Sequence, residues 1–309
     1  MKTRVALLFV LVAVFALPAL AANFERGVMV RVANIYIAPD AKSAKLGEVE
    51  RGREVVTWET SQQWTKVEAE VTGEKTITGW ILSKGIILKS TPNGDQIIYG
   101  EAVDSEDQAS RRRGRRGAAQ DAMRLYYRMA EYFPNSPLAG ESLYRAADIR
   151  WQLDKEDIFT RPSSKERDPY LRQSIDDEWM KQVMKKFPNT KWADLASFHL
   201  IDNKLCGDWQ GLSKCPEKEA DIYEKFANEH PQFNTAAEAL YDAAWRRAAL
   251  IEIYKTEEQP KKSDESRSRG MALCKAILDK YAQSDWAPRA RRLLYLMEQN
   301  IPTFGNETD

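Results

Sequence analysis

Four short segments of this chain align without a gap, and they constrain its fold more than any single residue does. They are residues 133–147 (FPNSPLAGESLYRAA), 187–201 (FPNTKWADLASFHLI), 230–244 (HPQFNTAAEALYDAA) and 281–295 (YAQSDWAPRARRLLY). Each opens on an aromatic ring or His, passes Pro or Ala and a short polar turn, and carries Ala at one fixed place: Ala139, Ala193, Ala236 and Ala287. A small residue recurring there lets two helices approach closely, and self-similarity at this period marks stacked helical hairpins. Chains built this way hold other molecules rather than transform them, so a binding or scaffolding role is expected.

Upstream of each turn lies an apolar stripe at 4-and-3 spacing, which puts its members on one helix face. The stripes are Leu125, Tyr126, Met129 and Phe133; Trp179, Met180, Val183 and Phe187; Ile222, Tyr223 and Phe226; and Leu273, Cys274, Ile277 and Tyr281. Pro134, Pro188 and Pro231 end these helices, since proline cannot donate to the preceding turn. Asn135-Ser136 and Asn189-Thr190 then signal new helix starts. The turns at Pro134, Pro188, Pro231 and Ala282 lie 54, 43 and 51 residues apart. The surplus falls in polar insertions at 154–176, 206–215 and 256–268, which read as loops.

The pattern F-P-N-S-P-x-A-x-x-S-L-Y-x-x-A resembles tetratricopeptide repeats of the subtype found in periplasmic envelope-assembly and coordination proteins. Three copies match, while the fourth lacks Pro and carries Arg291-Arg292, which suits a polar terminal repeat. The resemblance implies a peptide-binding concave face. One register puts Tyr144, Phe198, Tyr241 and Arg292 at equivalent sites, with Asp148, Asp202 and Trp245 one turn on. An extended peptide would lie on the rings while carboxylates hold its basic groups. The alternative is that the aromatic row packs between neighbouring helices.

Residues 27–99 read as β structure. β-branched runs at 28–32, 34–37, 55–58 and 64–71 are followed by Gly73-Glu74-Lys75 as a turn and by a strand at Gly79-Trp80-Ile81. Ile86 to Leu88 and Gln96 to Tyr99 flank Pro92-Asn93-Gly94-Asp95, a hairpin signal. Thr65, Val67, Ala69 and Val71 share one strand face. Asn34 with Pro39, Leu46 to Val49, Arg51-Gly52, Val55-Val56, Trp64 to Val67 and Gly79 to Ile81 together resemble bacterial SH3-like domains over residues 28–90. Many such domains bind cell-wall peptides or glycans, which makes Tyr36, Trp58, Trp64 and Trp80 wall-ligand candidates. Tyr36, Ile37 and Ala38 stand where the family usually has an Arg and a Ser-Gly pair. Trp64 and Trp80 also fit the simpler role of packing the barrel.

Lys2 and Arg4 precede an apolar run over residues 5–17, and Ala19-Leu20-Ala21 offers a small-x-small cleavage site, so residues 1–22 read as a signal peptide. An uncleaved anchor is the alternative; no Cys stands beside the site, so a lipoprotein is not expected. Without that segment 44 basic residues face 46 acidic ones, a net of −2, which argues against nucleic acid as the main partner. Cys206 and Cys215 bracket a short loop and are expected disulfide partners in an oxidising compartment. Cys274 falls on an apolar stripe and reads as a buried small hydrophobe. Residues 101–121 are acidic and then carry five arginines between 111 and 116, with no apolar anchors, and read as a flexible connector.

The two histidines do not suggest catalysis. His230 occupies the ring slot of Phe133, Phe187 and Tyr281, which suggests packing, and His199 falls at a position that reads as solvated. No HExxH, GxSxG or Walker loop is present. The expected fold is multidomain β + α: signal peptide 1–22, SH3-like β-barrel 23–99, charged linker 100–119, an all-α tetratricopeptide-like solenoid of about four helical hairpins at 120–302, and a tail at 303–309. The expected function is that of a non-catalytic exported adaptor, periplasmic or secreted, without metal or cofactor and without an integral membrane span. Its partners would be envelope proteins or peptides. The alternative is a peptidoglycan-binding protein that recruits or regulates a wall hydrolase.

Overall fold

The computed structural model describes residues 24–71 and 75–305. The signal-peptide reading, the Gly73-Glu74 turn and the last residues of the tail lie outside the described residues. An antiparallel sheet comes first: β1 (Glu25–Met29), β2 (Ala33–Tyr36), β3 (Lys45–Val49), β4 (Glu54–Ser61), β5 (Trp64–Val71), β6 (Lys75–Leu82) and β7 (Ile86–Leu88). Their order across the sheet is β3-β2-β6-β5-β4-β1-β7. Alternation along β5 sends Thr65, Val67, Ala69 and Val71 inward, all at most 7% exposed, and Lys66, Glu68 and Glu70 outward. Val67, Ala69 and Val71 join Met29, Ile35, Val49, Val55 and Ile81 in one interior, so strands from both halves of the sheet share a core.

Helices follow: α1 (Gly94–Ser110), α2 (Ala118–Tyr132), α3 (Ala139–Phe159), α4 (Glu178–Lys186), α5 (Lys191–His199), α6 (Lys214–Glu229), α7 (Ala236–Thr256), α8 (Pro260–Lys280) and α9 (Trp286–Glu298). None of the described helices is long and apolar enough to cross a membrane. The pairs α2/α3, α4/α5, α6/α7 and α8/α9 meet at the four aligned turns. The residue closing each first helix has nearly one conformation in every copy: Phe133, Phe187, His230 and Tyr281 have φ between −125 and −129°. Each donates its N–H to the carbonyl four residues back, at 2.8 to 3.0 Å. Ala139, Ala193, Ala236 and Ala287 are buried just beyond the turn. The α2, α4, α6 and α8 stripes face inward: Met129, Val183, Phe226 and Ile277 are all buried.

Two stretches expected as strand, linker or loop are helical. The strand expected at Gln96 to Tyr99 and most of the expected linker form α1. Asn93, at φ +54°, opens that helix in place of a hairpin turn. Its buried face is a narrow one, Gly94, Ile98, Ala102 and Ser105, whose spacing is helical although its composition is polar. Likewise the stretch at 256–268 mostly belongs to α8, which Pro260 begins at a position needing no N–H. Ser263, Ser266 and Gly270 form its inner face, and Ser263 Oγ donates to the Ile251 carbonyl at 2.9 Å. Small residues let α8 lie close on α7.

The sheet and first helices share a core, which a flexible connector would not give. Val28, Val30 and Ile87 from the strands pack with Ile98, Ala102, Leu125, Tyr126 and Met129. Gly52, at φ +73°, sits against α2, where a Cβ would lie 2.5 Å from that of Arg124. Arg124 Nε donates to the Arg51 carbonyl at 3.0 Å, and the Tyr132 hydroxyl to Glu54 at 2.8 Å.

The Cys206–Cys215 disulfide is present, with Cα atoms 6.1 Å apart. Its loop carries Trp209, whose ring centre lies 5.3 Å from Trp245 and 5.6 Å from Phe304. Buried Glu219 of α6 ties the region together. It accepts from the Cys206 N–H at 2.9 Å, Trp209 Nε1 at 3.2 Å and Arg246 Nε at 2.7 Å.

Candidate functional site

The helices after the turns carry the first candidate surface. On α3, Tyr144 stacks on Trp192 with centres 5.5 Å apart, and its hydroxyl lies 3.2 Å from His199 Nε2. The same nitrogen is 3.3 Å from Asp148 Oδ1. His199 is therefore half-buried among Tyr144, Asp148 and Trp151, where the sequence suggested a solvated face. Burial lowers its pKa, against the pull of Asp148 and Asp202. Asp202, just beyond α5, accepts from Lys155 Nζ at 2.9 Å.

On α7 the carboxylates lean the other way. Burial pushes Asp242 up to about 6, although Arg246 lies 3.6 Å away and opposes the shift. Burial also raises Glu238, and the charge of Asp242 adds to it while that of Arg289 opposes it. Glu238 has no hydrogen bond or ion pair among the described residues. Its charge is felt at Tyr144 of α3, and that of Asp202, just after α5, at Asp242.

The expected groove residues do not all stand alike. Tyr144, Asp148 and Asp202 gather around His199, whereas Asp242, like Glu238 on α7, was not among the expected groove residues. Tyr241 rests on Trp286, 5.1 Å between centres, toward exposed Arg292 of α9. Phe198 turns to the interior, 5.4 Å from Phe226 and 6.1 Å from Tyr223. Trp245 is flanked by Trp209 and by the guanidinium of Arg246, 5.8 Å from the ring centre. Glu238 was missed by the sequence reading. The signal was there: it lies two residues after an aligned alanine, where Glu141, Leu195 and Arg289 stand in the other copies.

The second surface is a cleft of about 380 Å³ on the sheet, lined by Arg31, Val32, Asn34, Tyr36, Leu82 and Lys84 among others. Arg31 and Lys84 have no ion pair among the described residues. Tyr36 sets its edge on Trp64, 5.7 Å between centres, and pairs directly across from Trp80. Trp64 is 6% exposed and supports the cleft from beneath, while Lys66 Nζ stands 6.0 Å from the Trp80 ring. Trp58 does not line this cleft. It is exposed on β4, edge-on to Phe24 at 5.0 Å.

Nothing comparable is set up for nucleophilic chemistry at Cys274 or His230. Burial pushes the Cys274 thiol up to about 12, which keeps it protonated at neutral pH. His230 stacks on Phe233 at 4.5 Å, as packing would require. Among the described residues no group of three or more His, Cys, Asp or Glu side chains could hold a metal ion. No protein-family model matches the chain, and no curated protein matches it.

Proposed function

We propose that this chain is a non-catalytic adaptor of the cell envelope whose helical repeats receive a peptide segment bearing basic side chains. One observation carries the reading: Glu238 is a half-buried carboxylate with no hydrogen bond or ion pair among the described residues, beside Asp242 on α7, with the charge of Arg289 offsetting part of its shift. A raised pKa records an unfavourable environment for the ion, and a bound ammonium or guanidinium would relieve it. The rings of Tyr144 and Tyr241 would carry the peptide's apolar parts. The resemblances to tetratricopeptide repeats and to an SH3-like barrel, and the apparent signal peptide, support this reading.

Selection from a random peptide display library tests it. The parent should enrich sequences containing Lys or Arg, and Glu238→Lys/Asp242→Lys should not. Equal enrichment by both proteins, or none by the parent, would refute the reading.

The cleft on the sheet favours a second reading, peptidoglycan binding with recruitment or regulation of a hydrolase. Arg31 and Lys84, without an ion pair among the described residues, suit stem-peptide carboxylates, and Tyr36 offers a ring for sugar or methyl groups. Co-sedimentation with purified sacculi should then occur and should fall with Arg31→Glu/Lys84→Glu. Soluble muropeptides appearing in the supernatant would instead indicate an enzyme.

A further inference from the structure

The hairpin between α1 and α2 presents the densest charge in the chain, and neither candidate surface uses it. Arg111, Arg112, Arg113, Arg115 and Arg116 fall within six residues and are all exposed. The loop is shaped rather than trailing. Gly114 N–H donates to the Arg111 carbonyl at 2.9 Å and Ala118 N–H to that of Arg115 at 3.1 Å. A Cβ at Gly114 would lie 1.6 Å from the Gln108 carbonyl oxygen, so the loop is folded tightly onto the end of α1. Two arginines are neutralised locally: Arg111 by Asp107 and Arg115 by Asp121. Arg112, Arg113 and Arg116 have no ion pair among the described residues. The other nearby acids are occupied or separate, with Glu106 bound to Arg145 and Asp104 exposed on α1.

We infer that this loop docks the protein on an anionic phospholipid surface. Three exposed guanidinium groups in the turn between two helices suit many phosphates displayed in a plane, each able to take paired N–H donors. No aromatic ring stands in the loop, residues 111–117, to stack a base or a sugar. The chain as a whole carries a formal net charge of +0, so the attraction is local to this tip. The Cys206–Cys215 disulfide points to an oxidising compartment, where lipid headgroups rather than nucleic acid are the abundant phosphate surface. The contact is peripheral, because the loop offers charge and almost no apolar area.

Vesicle sedimentation of the whole chain tests the inference, using pure phosphatidylcholine vesicles and vesicles containing phosphatidylglycerol. Binding should appear only with the anionic lipid and weaken as salt is raised. At about fivefold per basic residue near the surface, Arg112→Gln/Arg113→Gln/Arg116→Gln should weaken it on the order of a hundredfold. The exposed pair Lys185→Gln/Lys186→Gln on α4 should leave it within about twofold, which separates a local site from a general charge effect. An unchanged unfolding midpoint shows that the triple variant is folded. Equal sedimentation of triple variant and parent would overturn the inference. So would indifference to lipid charge, or retention by an RNA or DNA oligomer without retention by the vesicles.

Discussion

Asp242 is a half-buried acid on the helical surface, and that burial sets how the fold responds to pH. Its carboxyl is raised from 3.8 to about 6 by burial. The folded state thus holds that proton more tightly than the unfolded chain does. The stability contributed by this group is full below about pH 4 and lost as pH rises through about 6. Asp242→Asn should therefore remove that decline, and should be at least as stable as the parent at pH 7. Urea midpoints measured across the range for both proteins check this, and a parallel pair of curves would contradict it. Function should move the opposite way. Glu238→Gln keeps the shape but removes the charge a basic ligand needs, so affinity for an enriched peptide should fall roughly tenfold or more, the size of one charged hydrogen bond.

At the scale of elements, legibility followed how each segment buries itself. The four turns were readable because Phe133, Phe187, His230 and Tyr281 pack large rings at one backbone conformation, and large apolar residues leave a periodic trace. Helix α1 and the first half of α8 were not readable, because their inner faces there are Gly, Ala and Ser with few large side chains, whereas the Cys274 and Ile277 stripe of the second half was. Close approach of backbones does not register as hydrophobicity. His199 was misread for a related reason: its burial comes from Tyr144 and Trp151 on another helix. The cleft at Tyr36 depended on pairing between distant strands, so the aromatic candidates could be named but not sorted. The disulfide was legible from spacing and compartment alone. Cys206→Ser/Cys215→Ser should cost about 2–3 kcal/mol, the loop-closure estimate for this span, read from chemical denaturation. A loss near zero would mean that Glu219 and Trp209 alone hold the loop.

At the scale of the molecule, the sheet and helices are joined by apolar packing rather than tethered. Ile98→Ala removes a fully buried side chain from the core they share and should cost about 2–5 kcal/mol. Gly52→Ala should also destabilise, by about 1–3 kcal/mol, because it forces a side chain into α2 and into positive φ. Loss of sheet and helix signals at one common midpoint would support a shared unit; a sheet that survives Ile98→Ala unchanged would not. A rigid junction would also hold the cleft at Tyr36 and the carboxylates of Glu238 and Asp242 at a fixed separation, as an adaptor with two contacts requires.

The most direct test of that account is titration of one enriched basic peptide into three whole-chain proteins: the parent, Glu238→Lys and Lys84→Glu. The account predicts that Glu238→Lys abolishes binding and that Lys84→Glu leaves it intact. Loss with Lys84→Glu and retention with Glu238→Lys would place recognition on the sheet and contradict it.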